Sequence, residues 1–287
     1  MYHGLVGRAI SLILFAAVLC RASQWGSIPS DAAKVSPAEV RQFLALICPG
    51  HSPAMGCSLC PPEMPFSAQT WDLRTVTFGH FLTAKSEDAL VSGVGCEPHS
   101  NGMSGAYLFT KEASSWRKVW YGPGENASDC KRVTASDGRD LLVCEGADMH
   151  QGVGESFLYL LDAGHDPSKR EDNSLDIFFG LYDSLGSCTQ LQDGTLSGKI
   201  ESVSLIPASA LGAVRITVTA RLGKAVIPDK ILYSCNQSDF KRRPTIATVL
   251  RRYQFVFDGQ KVVPDERNPP TENGWAVAPM TSYSAAK

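Results

Sequence analysis

The chain has no surplus of basic charge and no apolar run long enough to span a bilayer. The chain contains 27 Lys and Arg residues and 29 Asp and Glu residues, so its net charge is −2. Nucleic-acid binding proteins need a concentrated basic face, so no nucleic-acid partner is expected. The apolar run Ala9–Leu19 has 11 residues, whereas a membrane-spanning helix needs about 20. We therefore expect no membrane span beyond a targeting segment.

Motifs of common catalytic classes are also missing. No G-x-S-x-G nucleophile motif occurs, and the nearest segment, Gly102–Gly105, has the wrong spacing. Two glycine pairs occur, in Gly93–Gly95 and Gly152–Gly154. Neither is followed by the helix that a phosphate-binding loop requires, so both are interpreted as turn glycines. The sequence therefore assigns no catalytic residue, no metal ligand set and no cofactor.

The N-terminus has the layout of a secretory signal peptide. Arg8 precedes the apolar run, and Cys20-Arg21-Ala22 supplies small residues for cleavage after Ala22. Without this leader the charge balance becomes 25 basic against 29 acidic residues. We expect a secreted or periplasmic protein. Anchoring through a lipid on Cys20 is the alternative, although Leu19 is larger than the residue expected before a modified cysteine.

Eight cysteines remain once Cys20 is removed with the leader, and an even number in an exported protein predicts disulfides. The pairing is open from the sequence except at one place, where Cys130 and Cys144 flank a predicted hairpin with its turn at Ser136–Arg139. The candidates for disulfide formation are Cys48, Cys57, Cys60, Cys96, Cys130, Cys144, Cys188 and Cys235.

One short helix is predicted near the mature N-terminus. Ser36-Pro37-Ala38-Glu39 is a capping box with proline at the first helical position. An apolar stripe at helical spacing follows, formed by Val40, Phe43, Leu44 and Ile47. The helix should end at Cys48-Pro49-Gly50.

A cysteine- and proline-rich segment, Cys48–Pro65, follows the helix and contains a C-x-x-C motif at Cys57 and Cys60. The motif could be a redox pair or, together with Cys48 and His51, a zinc site. No thioredoxin-like pattern surrounds it, and the spacing is not that of a standard zinc finger. A disulfide-stapled turn that pins the helix to the body is therefore favoured.

The rest of the chain is organised around a repeat. Asp88–Phe109 returns as Asp140–Leu161, 52 positions later, and no gap is needed to align the two copies. Each copy has an apolar strand, a glycine-rich loop and a second apolar strand. A fixed period of this kind predicts a repeated supersecondary unit whose copies stack on one another.

A weaker third copy is predicted at Ser202–Gly223, which aligns with the segment that begins at Thr75. In this alignment Ile231-Leu232-Tyr233 falls near the position of Tyr107. We therefore predict an all-β fold of repeated antiparallel units, propeller-like or, as the alternative, a β-sandwich, with one short helix. The expected divisions are a signal peptide at 1–22, a helix and Cys/Pro-rich segment at 23–65, a β-repeat domain at 66–267 and a flexible tail at 268–287.

The segment Val76–Gly93, VTFGHFLTAKSEDALVSG, resembles the start of an FG-GAP repeat: a Gly-x-Phe strand, a short loop, and an Asp followed by an apolar strand. The resemblance extends to about Leu161 and implies β-propeller blades of secreted and cell-surface proteins. The calcium loop of that family, D-x-D-x-D-G, is replaced here by Lys85–Glu87 and Ser136–Gly138. The oxygen ligands for calcium are therefore missing, and no functional residue is transferred.

The two repeat loops carry the candidate binding residues. Glu97-Pro98-His99 in the first copy and Asp148-Met149-His150 in the second are both acid-x-His, in equivalent places after an apolar strand. If the copies stack, two imidazoles and two carboxylates could converge as a transition-metal or acid–base site requires. Turn-capping residues that face water are the competing interpretation, and the more frequent one.

The leading functional prediction is a secreted or cell-surface binding protein without catalysis, with an extracellular or envelope ligand that the sequence does not identify. One alternative is a metal-dependent hydrolase that uses His99 and His150 with Glu97 and Asp148. A structural component of the cell envelope is a third.

Overall fold

The protein is all-β, as the sequence predicts, and the described part of the chain contains one helix. The helix α1 spans Pro37–Ile47, and every sheet is antiparallel. The computed structural model describes residues 35–48, 56–64, 70–96, 105–122, 127, 130–150, 153–167, 175–183, 195–208, 213–225 and 245–265.

Three sheets follow one another along the chain, each with its strands in sequence order. Sheet A contains β1 Gly56–Cys57, β2 Trp71–Gly79, β3 Asp88–Gly95, β4 Ala106–Glu112 and β5 Ser115–Gly122. Sheet B contains β6 Cys130–Thr134, β7 Asp140–His150, β8 Val153–Leu161 and β9 Asp176–Asp183. Sheet C contains β10 Thr195–Pro207, β11 Val214–Ala225, β12 Thr245–Phe257 and β13 Val262–Pro264. Such meanders are compatible with propeller-like blades.

Two shared cores join the sheets in chain order. The A–B core combines residues such as Leu90 and Leu108 of sheet A with Leu142 and Tyr159 of sheet B. The B–C core combines Val143 and Leu158 with residues of sheet C, among them Ile216, Val218, Phe255 and Phe257. Each sheet buries apolar side chains against its neighbour, which a single antiparallel sheet cannot do alone.

The helix covers the other face of sheet A. Its capping box is formed as predicted: Glu39 N donates to Ser36 Oγ at 3.2 Å, and Ser36 N donates to Glu39 Oε2 at 3.0 Å. Phe43, Leu44 and Ile47 are buried against Tyr107 and Phe109 of β4 in a helix–sheet core. This apolar stripe anchors α1 to the first sheet.

The described cysteines form three disulfides, and two of these decide between the alternatives at the C-x-x-C motif. Cys57 bonds Cys48 and Cys60 bonds Cys96, so the two cysteines of the motif have different partners. The favoured interpretation, a stapled turn that pins the helix to the body, is confirmed. The predicted pair Cys130–Cys144 is also confirmed, across directly opposed positions of β6 and β7. Cys188 and Cys235 lie outside the described residues.

The two repeat copies occupy equivalent hairpins, β3–β4 in sheet A and β7–β8 in sheet B, but the gapless alignment is wrong by one residue in the first strand. Leu90 is opposite Leu108 in sheet A, whereas Val143, not Leu142, is opposite Leu160 in sheet B. The second strands therefore correspond at a shift of 52 positions and the first strands at 53. Because strand side chains alternate between faces, one residue of shift reverses the face of every side chain.

The segment predicted as a third copy forms an antiparallel strand pair. β10 and β11 form the hairpin that the alignment with β2 and β3 predicts. Ile231-Leu232-Tyr233 lies outside the described residues, and the described strand after β11 is β12. β12 and β13 form a hairpin whose turn contains Asp258-Gly259, a pair of residues typical of tight hairpin turns, and Gly259 has a φ of +100°.

Candidate functional site

The structure describes only part of the acid-x-His pair. Glu97 and His99 lie outside the described residues. Asp148 and His150 lie on β7, where they are opposite Glu155 and Val153 of β8, and their side chains are not described. Convergence of the two acid-x-His segments stays a prediction. Among the described residues, no group of three or more His, Cys, Asp or Glu side chains could hold a metal ion.

The strands that lead to these loops start beside one another. Asp88, the first residue of β3, accepts a hydrogen bond from the N–H of Leu82 at 2.8 Å. Asp140, the first residue of β7, accepts one from the N–H of His80 at 2.8 Å. Both carboxylates are buried and hold the same short loop. The repeat thus places equivalent strands side by side at one end of the A–B pair.

A cleft of about 500 Å³ lies where sheets B and C meet, near the end of β7 and the start of β8. Its volume is within the usual range of small-molecule sites, about 300–1,000 Å³. Sheet B contributes Ala147, Gly154, Glu155, Ser156 and Asp183. Sheet C contributes Ser197, Gly198, Lys199, Arg221, Gly223 and Thr248. Hydroxyl, carboxylate and cationic groups therefore surround one cavity, and three glycines expose backbone to it.

Close approach of β9 and β10 forms one wall of the cleft. A Cβ atom at Gly198 would lie 2.9 Å from Leu181 Cβ and 2.9 Å from the carbonyl oxygen of Tyr182, so a larger residue would push the strands apart. Ser197 Oγ donates to Asp183 Oδ2 at 3.0 Å across the same junction. The requirement for glycine and this hydrogen bond together fix the distance between the two sheets.

Positive charge is concentrated on the sheet C side of the cleft. Lys199 and Arg221 are exposed and directly opposite one another in the β10–β11 register. Arg221 Nε pairs with Glu201 Oε1 at 2.7 Å. The hydrogen bond from Arg221, with further attraction from the charges of Arg221 and Lys199, holds the pKa of Glu201 below its usual value. One carboxylate therefore faces two cations.

A second polar cluster joins the Cys-rich segment to sheet A. Glu63 forms an ion pair with Lys118, and Tyr107 Oη donates to Glu63 Oε2 at 3.3 Å. Burial alone would raise the pKa of Glu63, but the hydrogen bond and charge of Lys118 outweigh it, so the pKa is lowered. Lys118 Nζ also lies 5.6 Å from the centre of the Tyr107 ring. With its partners mutually satisfied, this cluster has a structural role.

The cleft residues are absent from the sequence-based candidates. Gly154 was interpreted only as a turn glycine, and Lys199, Arg221 and Thr248 belong to strands far apart in the chain. No local motif marks them because the cavity exists only once sheets B and C pack. The one available signal in the sequence is the glycine pair Gly152–Gly154, since Gly154 lines the cleft.

No protein-family model matches the chain, and neither the curated proteins nor the solved structures compared with it give a match. The structure alone therefore defines the class of protein: consecutive antiparallel sheets stacked in chain order, with two disulfides at sheet A and one within sheet B among the described residues. In the part of the chain that the structure describes, α1 does not have the length and apolar character of a membrane-spanning helix.

Proposed function

We propose that this is an exported, disulfide-bonded protein that binds a small hydrophilic ligand, without catalysis, in the cleft between sheets B and C. The observation that carries the proposal is the cleft itself, which combines a ligand-sized volume with side chains of both charges and three hydroxyl groups. Binding sites on β scaffolds commonly lie at strand ends and loops, where this cleft is found.

Export is supported by two independent features. The N-terminal sequence has the pattern of a signal peptide. The described cysteines, six in number, are all in disulfides, which form and persist in oxidising compartments such as the extracellular space or the periplasm. The FG-GAP-like pattern at Val76–Gly93 points in the same direction, since that family builds propeller blades in secreted and cell-surface proteins.

An affinity capture that does not assume the identity of the ligand tests the binding proposal. The immobilised mature protein would be exposed to small molecules extracted from extracellular material, and retained compounds would be identified by mass spectrometry. In Thr248→Trp the bulky ring fills the cleft, so we expect retention to be lost. Thr248 is exposed, and folding should therefore tolerate the change.

Ser204→Trp is the matched control. Ser204 is also an exposed strand residue of sheet C, but it does not line the cleft. The proposal requires the control to retain the same compounds as the native protein. If the native protein and both variants retain the same set, or if the native protein retains nothing, the cleft is not the binding site.

Metal analysis separates this proposal from the hydrolase alternative. A binding protein of the proposed kind should contain no stoichiometric zinc, manganese or iron after purification. Stoichiometric metal that is lost in the His99→Ala/His150→Ala double variant, together with hydrolytic activity, would replace the proposal.

A further inference from the structure

Sheet C has one edge along which no described strand pairs. β13 covers only the end of β12, at Phe255–Phe257, so the stretch Thr248–Arg252, the β12 edge, is open as far as the structure describes the chain. At the other edge, β10 packs against β9 near Gly198, and the carbonyl oxygen of Val203 accepts a hydrogen bond from Lys131. An open strand edge presents N–H and C=O groups that can pair with another extended chain.

The position of Asp265 shows which backbone groups of β12 point outward. Its N–H donates to the carbonyl oxygen of Gln254 at 2.9 Å, on the β13 side of the strand. The N–H and C=O groups of one strand residue point to the same side, and the side alternates along the strand. Arg252, Leu250 and Thr248 therefore direct their backbone groups to the open side. Each of the three can exchange a pair of hydrogen bonds with an added strand.

Two arginines and a leucine dominate the side chains of the β12 edge. Arg251 and Arg252 are exposed, and neither forms an ion pair with a described residue. Because neighbouring strand residues point to opposite faces of a sheet, the two guanidinium groups lie on opposite faces. Leu250 is 58% exposed, on the same face as Arg252. An added strand would therefore meet positive charge on both faces and an apolar side chain on one.

The described acidic side chains of sheet C are engaged elsewhere. Glu201 pairs with Arg221 at 2.7 Å, and the carboxylate of Asp265 lies 3.8 Å from Arg215. Asp258 accepts hydrogen bonds from N–H groups of the turn between β12 and β13. No described carboxylate of sheet C therefore compensates the two arginines of the β12 edge, and a partner with acidic side chains would.

Two other occupants of the β12 edge match it poorly. If the chain continued along β12 in the register of β13, Arg267 would face Arg252, and Pro269 would lie opposite Leu250, where an N–H is required. Like charges directly opposite one another destabilise strand pairing. A second copy of β12 would leave the arginines uncompensated, because this strand contains no acidic residue.

We propose that the β12 edge binds an extended acidic peptide segment of a partner protein, which adds to sheet C antiparallel to β12. Backbone hydrogen bonds to Thr248, Leu250 and Arg252 supply affinity, as is general for strand addition. Acidic side chains opposite Arg252 and Arg251, followed by an apolar one opposite Leu250, supply specificity. This surface is additional to the small-ligand cleft, which it reaches only at Thr248.

Fluorescence anisotropy of a labelled peptide, Ser-Glu-Glu-Leu-Thr-Val-Ser, with the full mature protein measures the interaction. In the proposed register the two glutamates lie opposite Arg252 and Arg251, and the leucine lies opposite Leu250. We expect this peptide to bind at least tenfold more tightly than the same peptide with both glutamates replaced by lysine, since like charges repel. Added salt should weaken binding of the acidic peptide.

N-methylation of the peptide separates strand addition from attraction between charges alone. In the proposed register the amide of the peptide's leucine points to β12, whereas the amide of the following threonine points away. A methyl group on the leucine amide should therefore weaken binding at least tenfold. One on the threonine amide should leave the affinity within about threefold.

Leu250→Pro and Leu250→Ala form a matched pair of protein variants. Proline removes the N–H that the added strand requires, and it is tolerated on an edge strand where the N–H faces solvent. Leu250→Pro should abolish peptide binding while thermal unfolding stays cooperative. Leu250→Ala keeps the N–H and should bind the peptide within about tenfold of the native protein.

Arg252→Gln and Arg74→Gln test the charge contact without changing the backbone. Both remove one exposed arginine, but Arg74 lies on β2 of sheet A. Arg252→Gln should weaken binding of the acidic peptide about fivefold, as expected for the loss of one exposed ion pair. Arg74→Gln should leave the binding unchanged.

The proposal is overturned if the acidic peptide does not bind, if the acidic and lysine peptides bind equally, or if the two N-methyl groups have the same effect. Equal effects of the two arginine variants would also overturn it. A native dimer that Leu250→Pro dissociates, detected by sedimentation, would assign the β12 edge to a second copy instead. The affinity capture of small molecules decides the cleft proposal separately, since it does not involve the peptide.

Discussion

The two repeat copies share their sequence pattern but differ in how their first strands face the molecule. In sheet A, Leu90 of β3 lies in the A–B core, towards the next sheet, and Val91 packs towards the helix. In sheet B, Leu142 points back to the A–B core, and Val143 lies in the B–C core, towards the next sheet. The second strands agree, since Leu108 and Leu160 both point to the next sheet.

This difference shows that a repeat alignment predicts which strands pair but does not always predict which face of a strand points to the next sheet. The second strand is apolar at consecutive positions in both copies, and packing between the sheets keeps its orientation the same. The first strand is apolar on consecutive positions, which allows a one-residue shift without exposing a polar side chain to a core. The copies also differ at their loops: β7 and β8 are separated by residues 151–152, whereas β3 and β4 are separated by ten residues, 96–105.

The largest effects on stability are expected when buried leucines of the A–B core are replaced by alanine. Leu90→Ala and Leu142→Ala each remove a fully buried side chain, and each should lower the free energy of unfolding by about 2–5 kcal/mol. Because both belong to the A–B core, the double variant should deviate from additivity by about 0.5 kcal/mol or more. Denaturant unfolding of the single and double variants measures this coupling.

The control is the pair Leu90→Ala and Val143→Ala. These positions correspond in the structure but lie in different cores, so their effects should add. Additivity for Leu90 with Leu142 and coupling for Leu90 with Val143 would show that the first strand of sheet B faces the other way.

A second difference between the copies is covalent. Only the second copy has its first strand bonded to the preceding one, through Cys130–Cys144, whereas Val91 and Ser92 occupy the corresponding part of β3. Replacing both cysteines with alanine should lower the free energy of unfolding by about 2–4 kcal/mol, since the bond closes a loop with a sequence separation of 14. Thermal unfolding without reductant measures the loss, and an unchanged transition temperature would show that the bond contributes nothing.

The smallest effect concerns the ion pair between Glu63 and Lys118 at the first copy. Tyr107 contacts Glu63 and Lys118, whereas its counterpart Tyr159 is buried in the A–B core. Glu63→Gln keeps the shape but loses the charge, and should lower the free energy of unfolding by about 1 kcal/mol at pH 7.

The pH dependence of this effect has a definite sign. The pKa of Glu63 is lower in the folded state than its usual value of 4.5. The stabilisation is therefore complete above pH 4.5 and is lost as the pH falls through the folded-state pKa. Native protein and Glu63→Gln should thus differ at pH 7 and converge in acid. A constant difference across this range would exclude the ion pair as its cause.

Much of the fold could be predicted from the sequence because its signals are local. The capping box at Ser36–Glu39, the Cys130–Cys144 hairpin and the Asp258-Gly259 turn each depend on residues close together in the chain. The face of β7 could not be predicted, because consecutive apolar residues fit either orientation and only packing between sheets selects one. The cleft was missed for the same reason: Ser156, Lys199 and Thr248 become neighbours only through the B–C core.

The most direct test of the binding account is a map of backbone amide chemical shifts during titration with the compounds that the immobilised protein retains. The account predicts that the perturbed residues surround the cleft, at 154–156, 183, 197–199, 221–223 and 248, while sheet A stays unchanged. Perturbations centred on sheet A, or a spectrum that the retained compounds do not change, would contradict it.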